Sequence, residues 1–410
     1  MRYLDAVYAF LVAAAVAALL TPLAGRLARR VGAIAYPSAR GLAREPTPLL
    51  GGLAILAAVV LAAVIWMPAS IPLALAPGYR PGTAGVVHTW PVIAGAALIA
   101  LVGALDDAVD LNPLLKLVGQ IGAATVAAAG GALIKGLMVP FLGYLAFPDG
   151  GKELTVLWLV ALMNIVNFSD GVDGLAAGVC TIDGIAFAVI AFNLQGGKSA
   201  AAVLAAITAG ASLGFLFHNR YPAKIFMGDA GANLLGYLLG VAAIIGSLKT
   251  NAVLALAVPL LVLAVPFMDT GFVVAKRLKY GHKPWHADME HFHHRMARIG
   301  FSQRKTVAYL YAWTLMLAGV ALALRFIPYS NHHGRYYLGW SVVMAVILLI
   351  AAIASVYLVY VLEIFKFKLL RTIQLRRVDP DTSEHEIVAS VKRDIETGEF
   401  DAVRLPEPHE

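Results

Sequence analysis

Apolar runs long enough to cross a bilayer recur along this 410-residue chain, and they constrain its fold more than any other feature. A spanning helix needs about 20 mostly apolar residues. The hydropathy pattern and its breakers predict eleven such helices, at about 4–24, 49–67, 90–105, 114–134, 154–169, 175–194, 200–217, 230–247, 252–275, 306–325 and 339–362. In lipid each must satisfy its own backbone hydrogen bonds, which a helix does. The fourth run is the least apolar, because "AAAGGALIKG" is rich in small residues and holds Lys135. With 60% hydrophobic and only 14% charged residues, the chain departs from soluble domains, which average about 25% charged. The expected fold class is an all-α polytopic membrane protein, not a large soluble α/β enzyme.

The first run resembles a signal peptide only superficially. Arg2 is the sole positive charge before it, the apolar stretch continues to about Ala24, and no clear small-residue cleavage site ends it. It is read as a retained span. The single cysteine, Cys180, excludes an internal disulfide pair and a multi-cysteine metal site. Lysine and arginine cluster after the first run (Arg26, Arg29, Arg30), after the ninth (Lys276, Arg277, Lys279) and after the last (Lys366, Lys368, Arg371). By the positive-inside rule these segments face the cytoplasm, which puts the N-terminus outside and the C-terminus inside. Two regions are expected: a membrane domain over 1–365 and a charged cytoplasmic tail over 366–410.

The unusual polar clusters fall on that same expected side. "ALDDAVDLNPLLK" sets Asp106 beside Asp107, with Asp110 three residues on and Lys116 beyond. Adjacent carboxylates at a membrane exit repel one another unless a cation, a lysine or water offsets them. They suit Mg²⁺, which is held by one or two carboxylates plus substrate phosphates, but they also suit an exposed acidic helix end. "NIVNFSDGVDGLAAG" spaces Asn164, Asn167 and Asp170 by three, close to one helix face, and places Asp173 in a glycine turn. Helix capping accounts for Asp173 alone. In "KIFMGDAGANLLGY", Asp229 is either an N-cap or a metal ligand beside a helix terminus that favours phosphate. "HADMEHFHHRM" supplies His286, His291, His293 and His294 next to Arg295. That group fits a zinc site, an anionic phosphate or a basic loop over anionic lipid. "REPTPLLGG" before the second run reads as a loop-to-span transition whose Gly51–Gly52 pair permits close packing.

Taken in order, "PTPLLGG", "DDAVD…K", "NIVNFSDGVDGLA", "GDAGANLLG" and "HFHHRM" resemble the polyprenyl-phosphate N-acetylhexosamine-1-phosphate transferases, integral membrane enzymes that start lipid-linked glycan synthesis. The likeness covers about residues 1–365. "EHFHHRMARIGFSQRKTVAYLY" is similar to the bacterial branch that transfers N-acetylglucosamine 1-phosphate to undecaprenyl phosphate, whereas the muramyl-pentapeptide branch usually has three consecutive histidines before Phe-Glu. The family's "GDxGS" stands here as "GDAGA", with Ala232 for serine.

The resemblance implies a UDP-N-acetylhexosamine donor, an undecaprenyl phosphate acceptor in the bilayer and Mg²⁺, with Mn²⁺ as a substitute. Asp229 would be the metal ligand, with Asn167 or Asp170 nearby. Lys116 would hold a phosphate. His291, His293 and His294 would bind the diphosphate or sugar phosphate, and Asp106 or Asp107 would orient the lipid phosphate or take its proton. Asn164, Asp170, Asp173 and Arg295 complete the expected substrate pocket. The lipid phosphate would attack the β-phosphate of the UDP-sugar and release UMP. A phosphate monoester has a second pKa of about 6, so this nucleophile is already largely ionised. A catalytic base is therefore not essential, and direct attack is expected over a covalent aspartyl-phosphate because it needs no second displacement. The expected location is the plasma membrane with the site on its cytoplasmic face; a homodimer is allowed and no nucleic-acid partner is expected. An ion-coupled transporter is the rival reading, but transport sites lie near mid-membrane. An inactive scaffold fits poorly with the complete motif set.

Overall fold

The computed structural model describes residues 3–36, 45–72, 85–134, 136–139, 143–147, 151–194, 200–247, 302–328 and 337–361. Ten helices lie among them. They are α1 (Tyr3–Val31), α2 (Gly51–Trp66), α3 (Thr89–Val109), α4 (Pro113–Ala129), α5 (Gly151–Ser169), α6 (Leu175–Leu194), α7 (Ala200–Asn219), α8 (Gly228–Ser247), α9 (Gln303–Phe326) and α10 (Leu338–Val361). Eight are long and apolar enough to cross a membrane, while α2 and α4 are shorter apolar helices. The chain is therefore a helical, multi-span membrane protein. Ten of the eleven expected spans coincide with these helices. The ninth, at 252–275, lies outside the described residues, as do the histidine cluster and the tail over 366–410.

Two boundaries shift for local reasons. The fourth helix stops at Ala129 instead of 134, because Gly131 takes a positive φ of 93° that a helix cannot continue. Its start is set by Asn112, whose side chain accepts from the Leu114 amide ahead of Pro113 in the first turn. Helix α1 runs on to Val31, past the expected end at 24, and carries Arg29 and Arg30 in its last turn, where they favour the helix dipole.

The architecture is consistent with the all-α expectation, with one addition. Among the described residues three short antiparallel pairs join the helices: β1 (Ile34–Ala35) with β2 (Thr47–Pro48), β3 (Ser70–Pro72) with β4 (Val86–His88), and β5 (Gly136–Val139) with β6 (Gly143–Ala146). Isolated hairpins are marginal, so helix ends support them. For example, the His88 amide donates to the Gly130 carbonyl at the end of α4.

Small residues let the helices approach. Ala6, Ala9, Ala13 and Ala17 form a buried stripe on α1, and Gly210 and Gly214 of α7 lie against the Phe10 and Ala14 carbonyls of that helix. In a bilayer, close packing of this kind holds helices together where the hydrophobic effect does not. Helix α8 packs against α2, α3, α5, α6 and α7 and is the buried centre of the bundle. Helix α9 lies on α6, and α10 packs on α9, where Trp313 Nε1 donates to Ser355 Oγ at 3.0 Å.

Candidate active site

The N-terminal end of α8 gathers most of the expected polar residues. A side chain at Gly52 of α2 would strike the Gly231 backbone, and one at Gly103 of α3 would strike Ala230. These two glycines bring three helices into backbone contact at the start of α8. The loop before α8 is clamped by "PTPLLGG": the Phe226 amide donates to the Pro48 carbonyl at 2.9 Å, the Gly51 amide to the Phe226 carbonyl at 3.0 Å, and the Gly52 amide to the Met227 carbonyl at 2.9 Å. A stretch that reads as a simple transition thus fixes the position of Asp229.

Asp107 closes the same end. Its Oδ1 accepts from the Asp229 amide at 2.8 Å and its Oδ2 from the Ala230 amide at 3.2 Å. The helix terminus read as a phosphate site is occupied by this carboxylate. Gly228, at φ 68°, leaves no room for a Cβ beside the Asp107 carboxylate. Lys116 sits between two further carboxylates, with Nζ 2.5 Å from Asp106 Oδ2 and 3.2 Å from Asp229 Oδ2. The other Asp106 oxygen accepts from the Leu111 amide at 2.8 Å. Asp110 ends α3 in a left-handed conformation and is exposed.

The expected polar face of α5 divides. Asn164 Nδ2 donates to Gln120 Oε1 at 2.9 Å and to the Val160 carbonyl at 2.8 Å, so its amide serves an internal network. Asn167 and Asp170 are half-buried and have no side-chain hydrogen bond among the described residues. The Asp170 pKa is pushed up to about 8, first by burial, then by the negative charges of Asp229, Asp107 and Asp173. Asp173 acts locally: its Oδ2 accepts from the Ala223 amide at 2.9 Å. Its pKa is also raised by burial, against the opposing pull of that amide and the Gln303 side chain. Around it, Asn219 Oδ1 accepts from the Gly174 amide at 3.0 Å, and the Tyr311 hydroxyl donates to the Gly174 carbonyl at 2.5 Å.

Asp106, Asp107, Lys116, Asp170 and Asp229 therefore share one end of the bundle, with Asn167 on the last turn of α5 beside Asp170. His291, His293, His294 and Arg295 lie outside the described residues. Sequence reasoning missed Gln120, Asn233, Asn219 and Tyr311. The first two carried a signal: each is a polar residue one turn beyond a singled-out one, Gln120 after Lys116 and Asn233 after Asp229.

The donor set suits a hard divalent cation. It is all oxygen: among the described residues Asp106 and Asp229 pair with the Lys116 ammonium, Asp107 caps the Asp229 amide, and Asp170 feels the negative charges of Asp229 and Asp107. The raised Asp170 pKa reflects its burial first and then the negative charges of Asp229, Asp107 and Asp173. Among the described residues, no three acidic, imidazole or thiol groups already converge as a closed metal cage. Mg²⁺ does not require one, since it commonly takes one or two carboxylates and completes its shell with water and substrate phosphates.

Comparison with known proteins places this geometry in context. The model of glycosyl transferase family 4 matches residues 89–247, which run from α3 to the end of α8. The Bacillus subtilis protein named "Probable undecaprenyl-phosphate N-acetylglucosaminyl 1-phosphate transferase" is 34% identical over 330 residues, covering 79% of this chain and 86% of that protein. A Mycolicibacterium smegmatis decaprenyl-phosphate N-acetylglucosaminephosphotransferase is 37% identical over 344 residues, covering 78% and 82%. A phospho-N-acetylmuramoyl-pentapeptide-transferase of Desulforamulus reducens is 30% identical over 344 residues, covering 78% and 94%.

Proposed function

Since the chain belongs to glycosyl transferase family 4, we propose that it transfers N-acetylglucosamine 1-phosphate from UDP-N-acetylglucosamine to undecaprenyl phosphate. The products are UMP and a lipid-linked diphosphate sugar. The reaction is the first membrane step of a cell-envelope glycan and takes place at the cytoplasmic face of the plasma membrane. The observation that carries the reading is the Asp106–Lys116–Asp229 cluster at the capped end of α8. It puts one cation among carboxylates at the end of the bundle, where a soluble anionic donor can meet a lipid phosphate.

Phosphoryl transfer asks a protein mainly for positioning and charge compensation. Lys116 has three ammonium donors, of which Asp106 and Asp229 engage two. The third is left for a phosphate oxygen. Asp229, with Asn167 or Asp170, would hold Mg²⁺, and Mn²⁺ would suit the same oxygen donors. When bound, the ion would neutralise diphosphate charge. Both oxygens of Asp107 already accept helix amides, and both oxygens of Asp106 are engaged. A phosphoryl group on either would disturb the contacts that hold α8 or Lys116, whereas direct attack by the lipid phosphate leaves them in place. The histidines of 291–294 and Arg295 are assigned to the donor diphosphate on the motif alone.

The test is an assay of the purified protein with undecaprenyl phosphate, Mg²⁺ and a panel of UDP-sugars, reading UMP release. Release that requires both UDP-N-acetylglucosamine and the lipid phosphate supports the reading. Preference for UDP-N-acetylmuramoyl-pentapeptide would assign the branch of the Desulforamulus relative instead. Exchange of labelled UMP into the donor without any lipid phosphate would indicate a covalent intermediate and overturn direct attack.

A further inference from the structure

We propose that Gln120, Asn233 and Asn164 form a directional amide relay whose function is to hold Lys116 and Asp229 in register for the transfer reaction. The inference deepens the reading above and rests on it. Lys116 and Gln120 are one turn apart on α4, as are Asp229 and Asn233 on α8. Two cross-helix rungs result: Lys116 Nζ to Asp229 Oδ2 at 3.2 Å, and Gln120 Nε2 to Asn233 Oδ1 at 2.9 Å. The first rung is charged and partly open to solvent, with the Lys116 side chain 33% exposed. The second is buried.

The direction of the relay is fixed at both ends. Asn233 Nδ2 meets the Asp229 carbonyl at 2.8 Å, and Asn164 Nδ2 meets the Val160 carbonyl at 2.8 Å. A carbonyl can only accept, so both terminal amides must present their NH₂ groups. The Asn233 oxygen is then turned toward Gln120, whose NH₂ donates to it. The Gln120 oxygen in turn accepts from Asn164. Only one arrangement of the three amides satisfies every bond. A buried polar network that is fully satisfied specifies one geometry, whereas one that loses a member leaves its neighbours unpaired in a low-dielectric interior. The relay ties α5 and α4 to the backbone carbonyl of Asp229, the residue whose side chain pairs with Lys116 one turn away. Gln120 and Asn233 touch neither reactant in this arrangement and are positioning residues.

Gln120→Met keeps the length of the side chain and removes both partners. Loss of such supporting hydrogen bonds typically costs about 10- to 100-fold in activity. The expected result is a kcat lowered by about that factor, with KM for UDP-N-acetylglucosamine changed less than about twofold, because the alignment is lost and not the binding. Asn233→Leu should behave alike, and the double variant should be no worse than the poorer single, since both break one unit. Effects that multiply, or a purely KM effect, would overturn the proposal. If Gln120→Met fails to fold, the isosteric Gln120→Glu, which in its ionised form cannot donate to Asn233, takes its place. A second readout needs no turnover. Acylation of Lys116 by a water-soluble N-hydroxysuccinimide ester, followed by peptide mass spectrometry, should be several-fold faster in the variant, because the lysine is less firmly paired. An unchanged acylation rate would sink the relay even if the wild type transfers no sugar. Faster acylation in the variant, together with a wild type that releases no UMP, would sink only the transferase reading.

Discussion

Lys116 is the residue on which the site turns. Replacing it by glutamine keeps a polar side chain but removes the charge that offsets Asp106 and Asp229. Asp106, with a side chain only 6% exposed, then keeps its burial without its cation. Leaving a buried charged group under-satisfied costs on the order of 1–3 kcal/mol, and less where water reaches the gap. Lys116→Gln should therefore lower the melting temperature modestly in detergent and lower UMP release by at least about 100-fold, the scale at which preorganised charge acts. Near-normal activity would remove Lys116 from the phosphate site.

Asp170 gives a pH signature. The folded chain keeps its proton up to about pH 8, while an unfolded aspartate loses it near 4. Between those values the folded state binds the extra proton, so this residue's contribution to stability falls as pH rises. Asp170→Asn cannot ionise and escapes that loss. In the absence of divalent ions, the variant should gain in melting temperature over the wild type steadily from pH 5 to pH 8. Mg²⁺ added at pH 8 should then raise the wild-type melting temperature more than the variant's. A flat difference across pH would show that neither burial nor the charges of Asp229 and Asp107 hold the Asp170 proton through this range.

Among the elements, the bundle depends on backbone approach at α8. Gly103 faces Ala230 with no room for a Cβ, and Gly52 faces Gly231 in the same way. Gly103→Val would push α3 off α8 and carry Asp107 away from the amides it caps. Overpacking of this kind costs about 1–3 kcal/mol, and loss of a helix cap about 1 kcal/mol more. The expected outcome is loss of activity together with a lower melting temperature. The same change at Gly122 is a control, since a Cβ there would meet only Leu98 Cδ2, at an ordinary contact distance of 3.7 Å. The sequence made these helices legible because each is a long apolar run, and it placed the acidic clusters at their ends. It did not reveal the clamp between "PTPLLGG" and Phe226–Met227, which is made of backbone groups and leaves no side-chain signature. Nor did it reveal the hairpins, whose strands are only two to four residues long and too brief to show a period of two. The four-residue spacing of Gln120 from Lys116 and of Asn233 from Asp229 marks a shared helix face, but a single amide inside an apolar run does not show which partner it meets on another helix.

For the whole molecule, the decisive question is which side of the membrane the site faces. Within the described chain, the carboxyl ends of α3 and α5 and the amino ends of α4 and α8 lie together, joined by Lys116–Asp229, Asn164–Gln120 and Asp107–Asp229. All these groups therefore share one face, whatever the orientation. The β3–β4 and β5–β6 hairpins connect the opposite ends of α2 to α3 and of α4 to α5. Arg26, Arg29 and Arg30 close α1 just before the "PTPLLGG" clamp, and so stand on the same face as the site. A cation-rich face is expected inside, and the proposed UDP-sugar donor is a cytosolic molecule, so the proposed reaction predicts a site that faces the cytoplasm. The chain offers a clean test, because its one cysteine, Cys180, is buried. A membrane-impermeant maleimide should label Asn112→Cys, beside Lys116 in the α3–α4 turn, only after the inner membrane is opened. It should label Ser70→Cys, in the β3 strand, on intact spheroplasts. The reverse pattern would place the carboxylate cluster outside, away from any nucleotide sugar, and neither the arginine argument nor the proposed reaction would survive it.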